Sequence, residues 1–275
     1  MSRTVPLVMG VVNVTPDSFS DGGRFFDHAA AVAHGLALVD EGASVIDVGG
    51  ESTRPGAEPV PVAEELRRVL PVVAGLAPHV RVSIDTRHAE VAASAVAEGA
   101  TLVNDVSAAL AEVAAASGPG VGFVTVHMRG DPSTMQREPH YDDVVGEVRD
   151  FLVERATAAR SAGVEEVWID PGIGFGKTTA HNLALLARLD ELVATGFGVV
   201  VGTSRKRFLG ELGTDPASAG TGAVVAPPVG DRLEGSLATA TWAMWQGATM
   251  IRAHDVRATV HAARVVAGSI PTPAS

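Results

Sequence analysis

The chain has 275 residues, 46% of them apolar and only 4% aromatic, which suits one large core filled by Ala, Val and Leu rather than by rings. With 21 Lys and Arg against 32 Asp and Glu, the formal net charge of -11 argues against a broad nucleic-acid footprint, so an anionic ligand would need a local basic cluster. Cysteine is absent, which excludes disulfides, thiolate nucleophiles and Cys-ligated zinc.

The opening MSRTVPLVMGVVNV has neither the apolar stretch nor the cleavage site of a signal peptide. No later run approaches the ~18 apolar residues of a membrane span, so a cytoplasmic protein without membrane contact or nucleic-acid partner is expected. Strands are predicted at 7–12 (LVMGVV), 44–48 (SVIDV), 80–85 (VRVSID), 101–105 (TLVND), 122–127 (GFVTVH), 166–170 (EVWID), 198–202 (GVVVG) and 249–253 (TMIRA). Each is followed by a stretch with helical spacing, such as AAAVAHGLALVDEGA, PVAEELRRVLPVVAGLA, VVGEVRDFLVERATAARSAG and HNLALLARLDELVATG. Eight alternations predict an α/β fold, a single-domain (β/α)8 TIM barrel over residues 1–270, with a frayed tail at 271–275. The competing doubly wound sheet would carry GxGxxG after its first strand, where this chain has NVTPDSF. Glycines in DEGASVIDV, AEGATLVND, SAGVEEVWID and WQGATMIRA read as helix C-caps. The segments 129–141 and 213–235 read as long connections.

In a barrel the C-terminal strand ends converge on one pocket. Those ends carry Asn13, Asp47, Asp85, Asn104 with Asp105, His127, Asp170, the loop SRKR (204–207), and Arg252 with His254. Asp85, Asn104 and Asp170, with Lys206 nearby, suit a polar heteroaromatic ligand with paired N–H donors. Helix capping is the competing reading for each alone. Arg54, Lys206, Arg252 and His254 would supply the positive patch that the global charge demands, although each singly also reads as a solvated surface residue. Asn13 offers an amide oxygen suited to sparse Mg²⁺ coordination beside a phosphate, or serves only as a turn former. DPGIGFGKT (170–178) is not a Walker loop, because the required first glycine is Pro171; it is a Gly-rich turn that brings backbone, and the face of Phe175, toward a flat ligand, or a tight turn and nothing more.

NVTPDSFSDGG, VIDVGGESTRPGA, VSIDT, NDVS, DPGIGFGKTTAHN, GTSRKRFLG and RAHDV, in this order between about Met9 and Val256, resemble the successive signatures of the dihydropteroate synthases, a pterin-binding family. The resemblance implies a transferase of folate biosynthesis that joins 6-hydroxymethyl-7,8-dihydropterin pyrophosphate to p-aminobenzoate. It also implies a homodimer. By motif match, Asn13 would bind Mg²⁺ with the pyrophosphate, while Asp85, Asn104, Asp170 and Lys206 would hold the pterin, with Met128 near its ring. Thr53 with Arg54, and Arg252 with His254, would receive phosphate oxygens. Phe19 and Asp21 on the first loop, with Pro55, Phe175 and Lys206, would build the p-aminobenzoate site. Arg207 stands where some members have Ser, and would either bond the p-aminobenzoate carboxylate or point away.

Three rivals remain at this level. A folate-dependent methyltransferase domain would grip a pterin similarly, yet would leave Arg54, Arg252 and His254 without a pyrophosphate. An aldolase would use Lys206 as a Schiff-base nucleophile. A non-catalytic paralogue would bind without turnover.

Overall fold

The structure, a computed structural model, describes residues 4–15, 27–53, 57–131, 134–213, 228 and 230–268. The elements run β1 (Leu7–Asn13), α1 (His28–Asp40), β2 (Val45–Gly49), α2 (Val62–Leu76), β3 (Arg81–Asp85), α3 (Ala89–Ala97), β4 (Leu102–Asp105), α4 (Ala111–Ala116), β5 (Gly122–Val126) and α5 (Val144–Ser161). They continue with β6 (Val167–Asp170), α6 (Thr179–Ala187), α7 (Asp190–Val193), β7 (Gly198–Val201), α8 (Arg207–Leu212), α9 (Leu233–Gln246), β8 (Met250–Ala253) and α10 (Val256–Ala267). Every strand pairs in parallel with its sequence neighbour, and β8 closes on β1, so the eight strands form the expected single barrel.

The strand sequences dictate two apolar layers through their period of two. Val8, Ile46, Val82, Val103, Phe123, Ile169, Val199 and Ile251 point outward and share a buried cluster with the helices. Their neighbours Met9, Val45, Leu102, Val124, Val200 and Met250 form a second cluster without helix residues, which is the barrel interior. At the bottom the interior is sealed by Arg81, whose Nη1 and Nη2 lie 2.9 and 2.6 Å from the Glu166 carboxylate, while the Trp168 indole donates to Glu166 Oε1 at 2.8 Å. Small residues make room for this plug: a Cβ at Gly198 would lie 2.5 Å from the Trp168 ring.

The capping glycines Gly42, Gly99, Gly163 and Gly247 have φ of 105°, 110°, 104° and 112°, the left-handed geometry expected of them. One expectation is corrected. HNLALLARLDELVATG is two helices, broken at Arg188 (φ -112°, ψ 32°). Asp190 and Glu191 favour a fresh N-terminus there, Arg188 Nε binds Glu191 Oε1 at 2.7 Å across the joint, and the reset lets Leu186, Leu189 and Leu192 all bury. The connection read at 213–235 ends sooner, since α9 starts at Leu233; its residues 214–227 and 229 lie outside the described residues, as does the boundary at 270.

Candidate active site

The inward parity that places Val45 and Met250 inside the barrel carries up to Asp47, Asp85, Asn104, Asp170 and Arg252 at the top. There the side chains meet. Arg252 Nε donates to Asp47 Oδ2 at 2.6 Å and Nη2 to Asp85 Oδ2 at 2.8 Å, while Asn104 Nδ2 donates to the same Asp47 oxygen at 3.1 Å. Asp47 is fully buried, and among the described residues its Oδ1 has no hydrogen-bond partner. Burial opposes the charge on Arg252, but Asp47 and Asp85 outweigh it and raise its pKa. Asp85 is pushed up to about 7, by burial first and then by the neighbouring carboxylates of Asp47, Glu65 and Asp105, against the pull of Arg252. Asp105, one residue past Asn104, faces the other way and accepts from Ser107, Ala109 and Leu110 backbone N–H groups at 2.6–2.7 Å, so it pins its loop.

Asp170 ends β6, and its Oδ1 accepts from Gly172 N at 2.7 Å. Burial raises its pKa, against Lys206 as the main opposing charge. Lys206 in turn is lowered to about 8 by burial, with Asp170 holding it up. Its ammonium donates to the Ile173 carbonyl and lies 4.3 Å from the centre of the Phe175 ring. Met128 and Phe175 pack on the interior apolar cluster beside Val106 and Val126, which gives the charged rim an apolar floor. His254 Nδ1 lies 3.0 Å from Ser204 Oγ, which also accepts from His254 N at 3.1 Å.

The structure therefore brings Asp85, Asn104 and Arg252 into one network, and Asp170, Lys206 and Phe175 into a second. Asn13 ends β1, and among the described residues its carboxamide has no hydrogen-bond partner. Thr53 is the last described residue before the stretch 54–56 of the β2–α2 connection; Phe19, Asp21, Arg54 and Pro55 lie outside the described residues. Arg207 is exposed and binds Glu211 Oε1 at 2.9 Å along its own helix. The β2–α2 connection is braced to β3–α3: Arg87 meets both oxygens of Glu51 at 2.9 Å, and His88 Nδ1 lies 2.6 Å from buried Glu65 Oε2. Two residues that the sequence placed at the converging strand ends had been given no role in the site. Asp47 shares the inward parity of Val45, which is the signal for it; Ser204 has no such signal, because its partner His254 is fifty positions away.

A family model described as pterin binding enzyme matches residues 9–254. The chain belongs to the pterin-binding enzyme family. A dihydropteroate synthase of Mycobacterium leprae is 48% identical over 273 residues, covering 97% of this chain and 94% of that protein. The Xanthomonas albilineans dihydropteroate synthase with 4-aminobenzoic acid superposes with a TM-score of 0.84 at 48% identity, covering 97% of this chain and 94% of that one. A structure of the Xanthomonas albilineans enzyme in complex with 7,8-dihydropteroate gives 0.80 at 45% identity, with 97% and 95% covered. In this pterin-binding member, the polar layer lies at the C-terminal mouth of the barrel, where such folds hold their ligands.

Proposed function

We propose that the protein condenses 6-hydroxymethyl-7,8-dihydropterin pyrophosphate with p-aminobenzoate, giving 7,8-dihydropteroate and pyrophosphate. The observation that carries this reading is the barrel mouth, where the carboxylates of Asp47, Asp85 and Asp170 and the amide of Asn104 face Arg252 and Lys206 above the apolar Met128 and Phe175. Buried carboxylates pushed toward protonation gain from N–H donors such as those on a pterin edge. Lys206 and Phe175 would stack along the ring, and Arg252 Nη1, with His254 and Arg54, would take pyrophosphate oxygens.

Cleavage of the C–O bond builds negative charge on the leaving group and positive charge on the pterin methylene. Fixed cations at the mouth stabilise the first, and the electron-rich dihydropterin delocalises the second, which favours a dissociative, SN1-like displacement. The weakly basic arylamine then attacks without a covalent enzyme intermediate. Phe19, Asp21, Pro55, Phe175 and Lys206 would form the p-aminobenzoate site, with the first loop excluding water. A single neutral amide oxygen that no described residue engages fits a cation held mostly by phosphate and water, so Asn13 would hold Mg²⁺. Magnesium, when bound, supplies charge that neutralises the departing pyrophosphate.

A homodimer is part of this reading, supported by the exposed Trp242 and Trp245 on α9. So is a cytoplasmic location; among the described residues no helix is long and apolar enough to cross a membrane. The test is pyrophosphate release from purified protein with Mg²⁺ and dihydropterin pyrophosphate, with and without p-aminobenzoate. Release that depends on p-aminobenzoate, with dihydropteroate in equal amount, is expected. Tight pterin binding without turnover would instead indicate the non-catalytic paralogue.

A further inference from the structure

The loop from Asp170 to Lys177 is held by more side-chain donors than a tight turn requires. Five consecutive carbonyls each receive a side-chain donor: Gly172 and Phe175 from Lys177 at 3.0 Å each, Ile173 from Lys206, Gly174 from Gln136 at 2.7 Å, and Gly176 from Tyr141 at 2.9 Å. Lys177 is 3% exposed, and its Nζ lies 2.9 Å from His127 Nδ1 and 3.3 Å from the His127 carbonyl at the end of β5. His127 is held down to about 3, by burial first and then by Lys177, so its imidazole is neutral and its Nδ1 can accept. Three close acceptors thus face the three protons of an ammonium, and a buried charge so satisfied persists although burial and nearby Lys206 pull its pKa well down.

The backbone leaves this loop no other seat. Gly172, Gly174 and Gly176 have φ of 62°, 86° and 61°, and a Cβ on Gly172 would lie 1.8 Å from the His127 carbonyl oxygen. We infer that Lys177 is a positioning residue: its ammonium clamps this loop onto the end of β5 and thereby fixes the Ile173 carbonyl, the Phe175 ring and Gly172 N, which in turn place Lys206 and Asp170 for the pterin. Its ammonium is buried and turned to protein acceptors, so its action on the ligand is through the wall it holds. The inference rests on the pterin site proposed above and assigns the element that builds one wall of it.

The test uses full-length Lys177→Met, close in length and apolar, and Lys177→Ala. With 6-hydroxymethylpterin as the probe, Lys177→Met weakens binding about 10- to 100-fold, the loss of charge-assisted hydrogen bonds acting through the wall. Binding of inorganic pyrophosphate changes less than about twofold, since Arg252 and His254 are anchored elsewhere. In ¹³C spectra the Lys206 titration moves from about 8 toward the ordinary lysine range as the wall opens. Ethylammonium restores pterin binding to Lys177→Ala, and tetramethylammonium, which has no N–H, does not. A folded Lys177→Met with unchanged pterin affinity and Lys206 titration overturns the inference, as does equal loss of pterin and pyrophosphate. Should both variants fail to fold, wild-type ¹⁵N-lysine spectra decide: a slowly exchanging ammonium at Lys177 supports the clamp, and its absence sinks it. These readouts need no turnover, so a failed synthase assay leaves them independent.

Discussion

Asp47 is the residue through which the barrel mouth can be tested most directly, because it touches Arg252 and Asn104 and is itself closed to solvent. Asp47→Asn keeps an oxygen that can accept from Arg252 Nε but removes the charge, and a charge-assisted bond is about twice as strong as a neutral one. Halving a contact of about 1.5–3 kcal/mol leaves a deficit of about 1 kcal/mol, or roughly fivefold in kcat/KM. Asp47→Ala leaves a largely buried guanidinium with Asp85 alone, and breaking such a pair from one side costs about 3–5 kcal/mol of stability. Steady-state pyrophosphate release and urea unfolding would be measured for both variants, for Arg252→Met, and for the double variant. The Asp47→Ala penalty should shrink by more than about 1.5 kcal/mol when Arg252 is already Met. Additive penalties, or wild-type kcat/KM in Asp47→Ala, would refute the claim that Asp47 acts by holding Arg252.

Lys206 gives the alkaline limb: its depressed pKa means the ammonium is lost as pH rises through about 8, so kcat/KM should decline above that pH, and a profile flat to pH 9 would count against its role. The same depression makes stability rise between about 8 and the ordinary lysine value of 10.5, because there the unfolded chain binds the extra proton. Gly172→Ala should abolish pterin binding, since its Cβ would enter the His127 carbonyl at 1.8 Å, while Gly118→Ala, with nothing within 4 Å, should cost only the ~1–2 kcal/mol of a left-handed alanine; equal melting temperatures for the two would contradict the packing. Glu166→Gln loosens the half-exposed bottom plug by at most about 1 kcal/mol and should leave both KM values unchanged, because it sits at the end of the barrel opposite the polar layer. A shift in either KM beyond about twofold would show that the two ends are coupled. Asn13→Ala should weaken pyrophosphate binding in Mg²⁺ more than 6-hydroxymethylpterin binding, and equal losses would point to a collapsed first loop instead.

The strands were legible because short β-branched runs between Gly-capped helices have few other ways to fold, and their predicted limits agree with the structure to within a residue or so at each end. The strand-end residues were legible for the same reason: parity and position follow directly from the strand. What escaped is pairing. Arg252 was expected to face phosphate, but that its Nε and Nη2 also bind Asp47 and Asp85, 205 and 167 positions away in sequence, was not foreseen. No local pattern encodes which carboxylate a given arginine reaches across a closed barrel. The split of α6 from α7 escaped because a leucine-rich stretch keeps helical periodicity through a break that only tertiary burial rewards.

The same alternation that makes the barrel stable also determines why its mouth is reactive toward a polar ring. Lower inward positions hold Met9, Val45, Leu102, Val124, Val200 and Met250, which need no partners and pack to a dry interior. One pleat higher, the inward positions are Asp47, Asp85, Asn104, Asp170 and Arg252, taken out of bulk water by the strands around them. Their mutual hydrogen bonds are incomplete: among the described residues Asp47 Oδ1 is unmatched, and burial drives Asp85 and Asp170 toward protonation while it drives Lys206 toward deprotonation. Each of these displacements is unfavourable in the free protein and would be relieved by a ligand offering N–H donors to the carboxylates and an electron-rich face to Lys206. A flat heterocycle with an amidine-like edge meets both demands at once, whereas a simple phosphate would satisfy Lys206 and Arg252 and leave the carboxylates worse placed. The imbalance itself would therefore favour a pterin over the many anions that also bind at barrel mouths.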